Sequence, residues 1–176
     1  GTGAARILLV SVAIWLLALS FASFQRVGAW KNSLSLWEDA TTKTPGSAYA
    51  WEHLGETYRF QGKYEAARQA YEQGLKLNPL NTEILSGLGD LYTDLGELDR
   101  GHALLEKLLS IKPDYAMGWG GLGNNYLKQG NYVEAEKAYK RALSIQPDAM
   151  QVVTLLGNLA LIRGRLDEAR DYYSRV

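Results

Sequence analysis

The chain has no cysteine, which excludes disulfide staples, thiolate nucleophiles and thiolate metal sites and leaves the redox compartment undetermined. It has little histidine: His53 and His102 stand far apart with no second ligand at a useful spacing, so no metal is expected. It also lacks an excess of charge. Nineteen basic residues balance 19 acidic ones without a run of either sign, so the electrostatic footprint of a nucleic-acid binder is missing. No serine, histidine and aspartate arrangement is indicated, no strand pattern occurs, and no cofactor is implied. An enzyme site within the chain is therefore not expected. There is no initial methionine, which points to a processed product or a piece of a longer protein.

Proline is scarce as well, and its scarcity is informative. Pro45, Pro79, Pro113 and Pro147 follow one another at intervals of 34 residues. The same interval carries Leu54, Leu88, Leu122 and Leu156, each followed by a glycine, and a second glycine row at Gly62, Gly96, Gly130 and Gly164. Such a period marks a repeat architecture. Trp51, Leu54 and Tyr58, like Trp119, Leu122 and Tyr126, recur at helical spacing and describe the buried stripe of a first helix, A. The Leu-Gly glycine leaves room for a neighbouring helix. The second glycine is expected to close helix A in a left-handed cap, and helix B to start a residue or two later, at Tyr64, Leu98, Tyr132 or Leu166. In helix B a small residue precedes a large one by four, as in Ala67 and Tyr71, Ala135 and Tyr139, Ala169 and Tyr173. Proline then stops helix B, because it lacks the amide hydrogen that would continue the ladder. Ser47, Asn81, Asp114 and Asp148 are the expected N-caps of the A helices.

These residues resemble the tetratricopeptide repeat (TPR) family. The signature is complete in the first repeat, with Trp51, Leu54, Gly55, Tyr58, Ala67, Tyr71 and Pro79, and in the third, with Trp119, Leu122, Gly123, Tyr126, Ala135, Tyr139 and Pro147. The second departs from it at Leu85, Gly101 and Leu105, which implies a repacked interior. The fourth has Val153 and Ala160 in place of the aromatic columns. The resemblance implies an all-α, right-handed superhelical solenoid of about four helix pairs, and the uncharged apolar run before it adds a long hydrophobic N-terminal helix. The expected organisation is a hydrophobic helix over 1–30, a degenerate half repeat over 31–47, and an array over 48–176, divided as 48–81, 82–115, 116–149 and 150–176. Trp37, Ala40 and Pro45 fall in the register of a helix B, so the array is expected to start without an A helix and to end without a polar cap. Open ends of this kind favour a ring or a filament.

The N-terminal segment from Ile7 to Phe24 is 18 residues long and uncharged. As a helix it extends about 27 Å, against a bilayer core of about 30 Å. Ile7, Leu9, Ile14, Trp15, Leu17, Phe21 and Phe24 are the side chains expected to face lipid, or copies of the same helix in an assembly. Arg6 at one end, and Arg26, Trp30 and Lys31 at the other, suit the headgroup interface. The run is longer than the apolar region of a signal peptide, which is about 7 to 15 residues.

Proteins resembling this family bind peptides along the surface lined by their A helices. By register, Tyr49, Glu52, Glu56, Arg59, Glu83, Ser86, Asp90 and Asp94 face that groove in the first two repeats. Met117, Gly120, Asn124, Leu127, Gln151, Thr154 and Asn158 follow in the last two. The first half is acidic and the second neutral, so a bound peptide should be basic or rich in amides. The family's terminal-carboxylate clamp uses lysine and asparagine. Asn124 and Asn158 match it, but Gly120 and Thr154 stand where lysine is needed. Gly118, Gly120 and Gly123 satisfy GxGxxG, but they lie in an A helix with no preceding strand, so the expected role is a thin helix face and not a nucleotide site. Glu134 with Lys137, and Glu136 with Lys140, read as salt-bridged surface.

Three functions are thus expected. The first is a non-catalytic protein-interaction scaffold, anchored in a membrane through residues 7–24. The second is a self-assembling subunit of a homo-oligomer or filament. The third rests on Arg26, Trp30, Leu36, Trp37 and Pro45, whose setting is similar to the junction of multispanning glycosyltransferase-like proteins that end in repeats. It would place the repeats on the periplasmic or extracellular side.

Overall fold

The computed structural model describes residues 32–175. The hydrophobic segment at 7–24, with its expected helix and lipid-facing side chains, lies outside the described residues. Among those described there is no strand, and no helix is long and apolar enough to cross a membrane. The chain divides into two compact units, 1–46 and 47–176.

In the first unit, helix α1 spans Ser33–Lys43. It opens with a capping box: the Asn32 side chain accepts from the Ser35 amide at 3.0 Å, and Ser35 Oγ lies 3.4 Å from the Asn32 amide. It ends just before Pro45.

The second unit is an all-α solenoid of four helix pairs: α2 (Ala48–Phe60) with α3 (Tyr64–Leu77), α4 (Thr82–Asp94) with α5 (Leu98–Ile111), α6 (Ala116–Lys128) with α7 (Tyr132–Ile145), and α8 (Met150–Ile162) with α9 (Leu166–Tyr173). Each B helix also packs on the next A helix, and α2, α4 and α6 lie side by side.

Local chemistry sets the helix bounds. Every A helix is closed by a glycine with positive φ, from +71° at Gly62 to +81° at Gly96. At the first, the Lys63 amide donates to the Tyr58 carbonyl at 2.9 Å and the Gly62 amide to the Arg59 carbonyl at 3.0 Å, which is the Schellman pattern. The other three A helices repeat both bonds, from Gly96 and Glu97, Gly130 and Asn131, and Gly164 and Arg165. Helices α3, α5 and α7 stop two residues before Pro79, Pro113 and Pro147.

The N-caps divide. The Ser47 and Asn81 side chains accept from the amides three residues on, at 3.2 and 2.9 Å. Asp114 and Asp148 are not caps. Tyr115 and Ala149 hold those positions without a side-chain bond, because the period puts the cap one residue later than these aspartates.

The cores form where large B-helix residues cover the Leu-Gly glycines. A Cβ on Gly55 would lie 2.6 Å from the Tyr71 ring, and one on Gly123 would lie 2.5 Å from the Tyr139 ring. In the second repeat Leu105 does the same over Gly89, and it is fully buried with Leu85 and Leu108. Removing such a leucine from a core costs about 2–5 kcal/mol. The repacked interior expected for that repeat is what the structure shows.

Gly101 has a specific neighbour. A Cβ there would come within 2.6 Å of Thr93 Oγ1, 2.8 Å of the Gly89 carbonyl and 3.1 Å of Asn125 Nδ2. The Thr93 hydroxyl and the Gly89 carbonyl, with the buried Asn125 amide arriving beside them from the third repeat, fill the space that an alanine would occupy.

Candidate peptide groove

Between the A helices of the first two repeats lies a pocket of about 130 Å³, lined by Glu52, Glu56, Arg59, Tyr71, Glu83, Ser86, Gly87, Asp90, Tyr115 and Met117. Four carboxylates and one guanidinium thus line it. Helical spacing explains this convergence: Glu52, Glu56 and Arg59 stand on one face of α2, while Glu83, Ser86, Gly87 and Asp90 stand on the facing side of α4. Seven of the side chains expected at the groove meet here. Tyr71, Gly87 and Tyr115 were not anticipated.

Tyr71 belongs to a B helix and read as core. Its ring covers Gly55, but its hydroxyl passes through to the next A helix, where a Cβ on Gly87 would lie 2.8 Å from it. Burial pushes the phenol up to about 12, with the Arg59 charge opposing the shift. Gly87 belongs to neither glycine row, but Gly121 stands one period further on, so a two-member glycine column was the signal that could have found it. Tyr115 could have been found by counting one period from Asn81, which places it at the N-cap beside the groove.

The remaining expected residues lie elsewhere. Tyr49 is exposed and meets His53 edge-on, with ring centroids 4.3 Å apart. Asp94 pairs with Lys128 at 3.1 Å. Asn124 accepts from the Tyr139 hydroxyl at 2.7 Å, and Asn158 accepts from Tyr173. Leu127 is half-buried against the core of the last two repeats. Gln151 is exposed, Thr154 donates to the Met150 carbonyl, and a Cβ on Gly120 would meet open space. The charged lining of the pocket is therefore confined to the first two repeats, and the third repeat contributes only Tyr115 and Met117 at its edge.

Glu56, Asp90, Asn124 and Asn158 share one column of the repeat. In the third and fourth repeats the asparagine receives a tyrosine hydroxyl from its own helix B. In the second repeat that tyrosine is Leu105, which has none to offer. The Asp90 carboxylate occupies the space beyond the shorter leucine: a Cβ on Gly121 would run into Asp90 Oδ1 and lie 3.0 Å from Leu105 Cδ2. Burial raises Asp90 to about 7, Arg59 opposes the shift and Asp94 adds to it. Other carboxylates here have partners: Glu52 accepts from the Asn81 amide at 3.0 Å, Glu83 from the Thr82 hydroxyl at 2.6 Å, and Glu56 lies 3.4 Å from His53.

Gly118, Gly120 and Gly123 lie within α6, and Leu108 and the Tyr139 ring approach the first and last closely, as a thin helix face requires. Among the described residues no cluster of histidine and carboxylates is arranged to hold a metal ion.

Two family models, each described as tetratricopeptide repeat, match residues 59–123 and 121–176. Among curated proteins, the chain is 32% identical over 73 residues to the protein O-mannosyl-transferase Tmtc2 of Drosophila melanogaster. That match takes in 42% of this chain and 8% of the relative's length. Among solved structures, the chain is similar to TTC0263, a thermophilic TPR protein of Thermus thermophilus, with a TM-score of 0.76 at 24% identity, over 88% of this chain and 84% of that one. It is similar to MamA with a TM-score of 0.69 at 21% identity, over 86% and 88% of the two chains. It is also similar to the first TPR of Spaghetti (RPAP3) bound to the HSP90 peptide SRMEEVD, with a TM-score of 0.62 at 20% identity, over 66% and 93%. At these identities the structural likenesses speak for the fold.

Proposed function

We propose that this array of tetratricopeptide repeats is a non-catalytic scaffold that holds a basic segment of a partner polypeptide in the groove of its first two repeats. The observation that carries this reading is the convergence of Glu52, Glu56, Glu83 and Asp90 on one pocket, with Arg59 as its single cation. A field of that sign favours a positive ligand and repels an acidic one. The HSP90 peptide held by the RPAP3 repeat has two glutamates and an aspartate against one arginine, so this groove calls for the opposite ligand charge. In this proposal the uncharged stretch 7–24 anchors the chain in a membrane, with the repeats on the periplasmic or extracellular side.

Selection of a random twelve-residue peptide library on the full chain tests the scaffold reading. Peptides of net positive charge should be enriched, and they should be lost on a Glu52→Lys, Glu83→Lys chain. Failure to enrich any peptide, or equal enrichment on both chains, would overturn it. Proteoliposome flotation of the full chain, with protease digestion from outside, tests the anchor and its sidedness.

A second reading draws on the partial similarity to Tmtc2 together with the junction around Arg26, Trp30 and Trp37. In it, the array is the repeat region of a larger membrane glycosyltransferase-like protein. The gene upstream of Gly1 should then encode further hydrophobic helices, and a start codon immediately before Gly1 would dismiss the idea.

A further inference from the structure

We infer that the pocket beside Asp90 is built to seat one arginine side chain of the bound polypeptide, with Asp90 and Glu83 as its acceptors and Tyr115 and Met117 as the wall for its stem. The inference rests on the groove reading above and narrows the ligand to a particular group. The array supplies its own comparison. The fold accepts asparagine in the same column at 124 and 158, where a tyrosine hydroxyl satisfies it. Asp90 has a carboxyl group instead, with no hydrogen bond and no ion pair within 4.0 Å among the described residues.

Two further facts make the aspartate costly to the empty protein. Burial disfavours its charged form, which is why it titrates near neutrality. No cation closes on it to ion-pairing distance: Lys128 is paired with Asp94, and Arg59, which lines the same pocket, acts on Asp90 through its charge alone. Arg59 also keeps its Nε buried without a partner, so a second polar group of the pocket's lining awaits one. An incoming guanidinium answers the first deficit, and a carbonyl of the peptide answers the second. Arginine suits the place better than lysine. Its five donors form a planar fork that can bridge carboxylates from different directions, and its flat face can pack against a ring such as that of Tyr115, which already holds the Lys112 ammonium 4.4 Å from its centroid.

The test uses the best peptide from the twelve-residue selection, measured by calorimetry on the full chain. Replacing its arginine by citrulline, which keeps the shape and removes the charge, should weaken binding at least tenfold. Asp90→Asn and, separately, Glu83→Gln should weaken the arginine peptide by a similar factor and leave the citrulline peptide unchanged. Glu83 is exposed, so its variant does not depend on repacking the pocket, while Asp167→Asn serves as a remote control. Selected peptides without a shared arginine, or affinities indifferent to both pocket variants, would overturn the arginine seat while leaving a peptide groove in place. Absence of any selected peptide would overturn both readings together.

Discussion

The Asn125 side-chain amide donates to the Thr93 hydroxyl at 2.8 Å, inside the contact between the second and third repeats. The same nitrogen donates to the Leu98 carbonyl at 2.9 Å, Thr93 passes its own proton to the Gly89 carbonyl, and Gln129 donates to Asn125 Oδ1 at 2.7 Å. A buried amide with its partners in place is worth keeping, whereas a half-satisfied one is expensive. This network explains why the second repeat has glycine where its neighbours have alanine.

Gly101→Ala should therefore destabilise the protein, although it restores the residue found at Ala67, Ala135 and Ala169. The added methyl meets the Gly89 carbonyl at 2.8 Å, which is backbone and has little freedom to yield. A loss of about 1–3 kcal/mol is expected, as for other overpacked sites, read from the urea midpoint. An unchanged midpoint would mean that α4 and α5 separate more easily than the packing suggests.

Two glycines of α6, three residues apart, should respond in opposite directions. Gly120→Ala places its methyl in open space and removes backbone freedom from the unfolded chain, so it should stabilise by up to about 1 kcal/mol. Gly123→Ala drives its methyl to within 2.5 Å of the Tyr139 ring, so it should destabilise clearly. Thermal melts of the two variants beside the parent give the comparison.

Asp90 makes stability fall as pH rises. Its folded pKa, about 7, lies above the ordinary value of 3.8, so between these limits the folded state binds the proton that the unfolded state releases. The aspartate is then harmless near pH 4 and fully unfavourable above pH 7. Asp90→Asn should leave the midpoint unchanged near pH 4.5 and raise it at pH 8. Equal effects at both pH values would show that Asp90 is well solvated.

Glu136 has the opposite sign. Arg165, Lys140 and Arg163 hold it at 2.6, 2.7 and 2.5 Å, and its pKa is lowered from 4.5 to about 2, first by the Arg165 hydrogen bond. Its contribution is present above pH 4.5 and is lost as pH falls through 2. Glu136→Gln should cost on the order of 2 kcal/mol at pH 7, and its difference from the parent should shrink as pH falls from 5 to 3. A difference constant across that range would argue that shape, and not charge, sets the role of Glu136.

Much of this protein was readable from the residues alone. The helix pairs, the positive-φ glycines and the proline stops come from preferences of the chain over a few neighbouring residues. A 34-residue period repeats those preferences in register, and the acidic bias of the first two A helices follows from the same register. What the tertiary structure decided is which side chains complete one another across repeats. Pattern alone did not show that the Tyr71 hydroxyl passes through to Gly87, that the Thr93, Gly89 and Asn125 network needs a glycine at 101, or that Glu136 draws two arginines from the following repeat. It also did not show that Asp90 fills the space beyond Leu105. Each of these depends on the length of one side chain measured against the gap left by another. That gap exists only once the helices have packed, so the chemistry of the groove is a property of the fold and not of any single repeat.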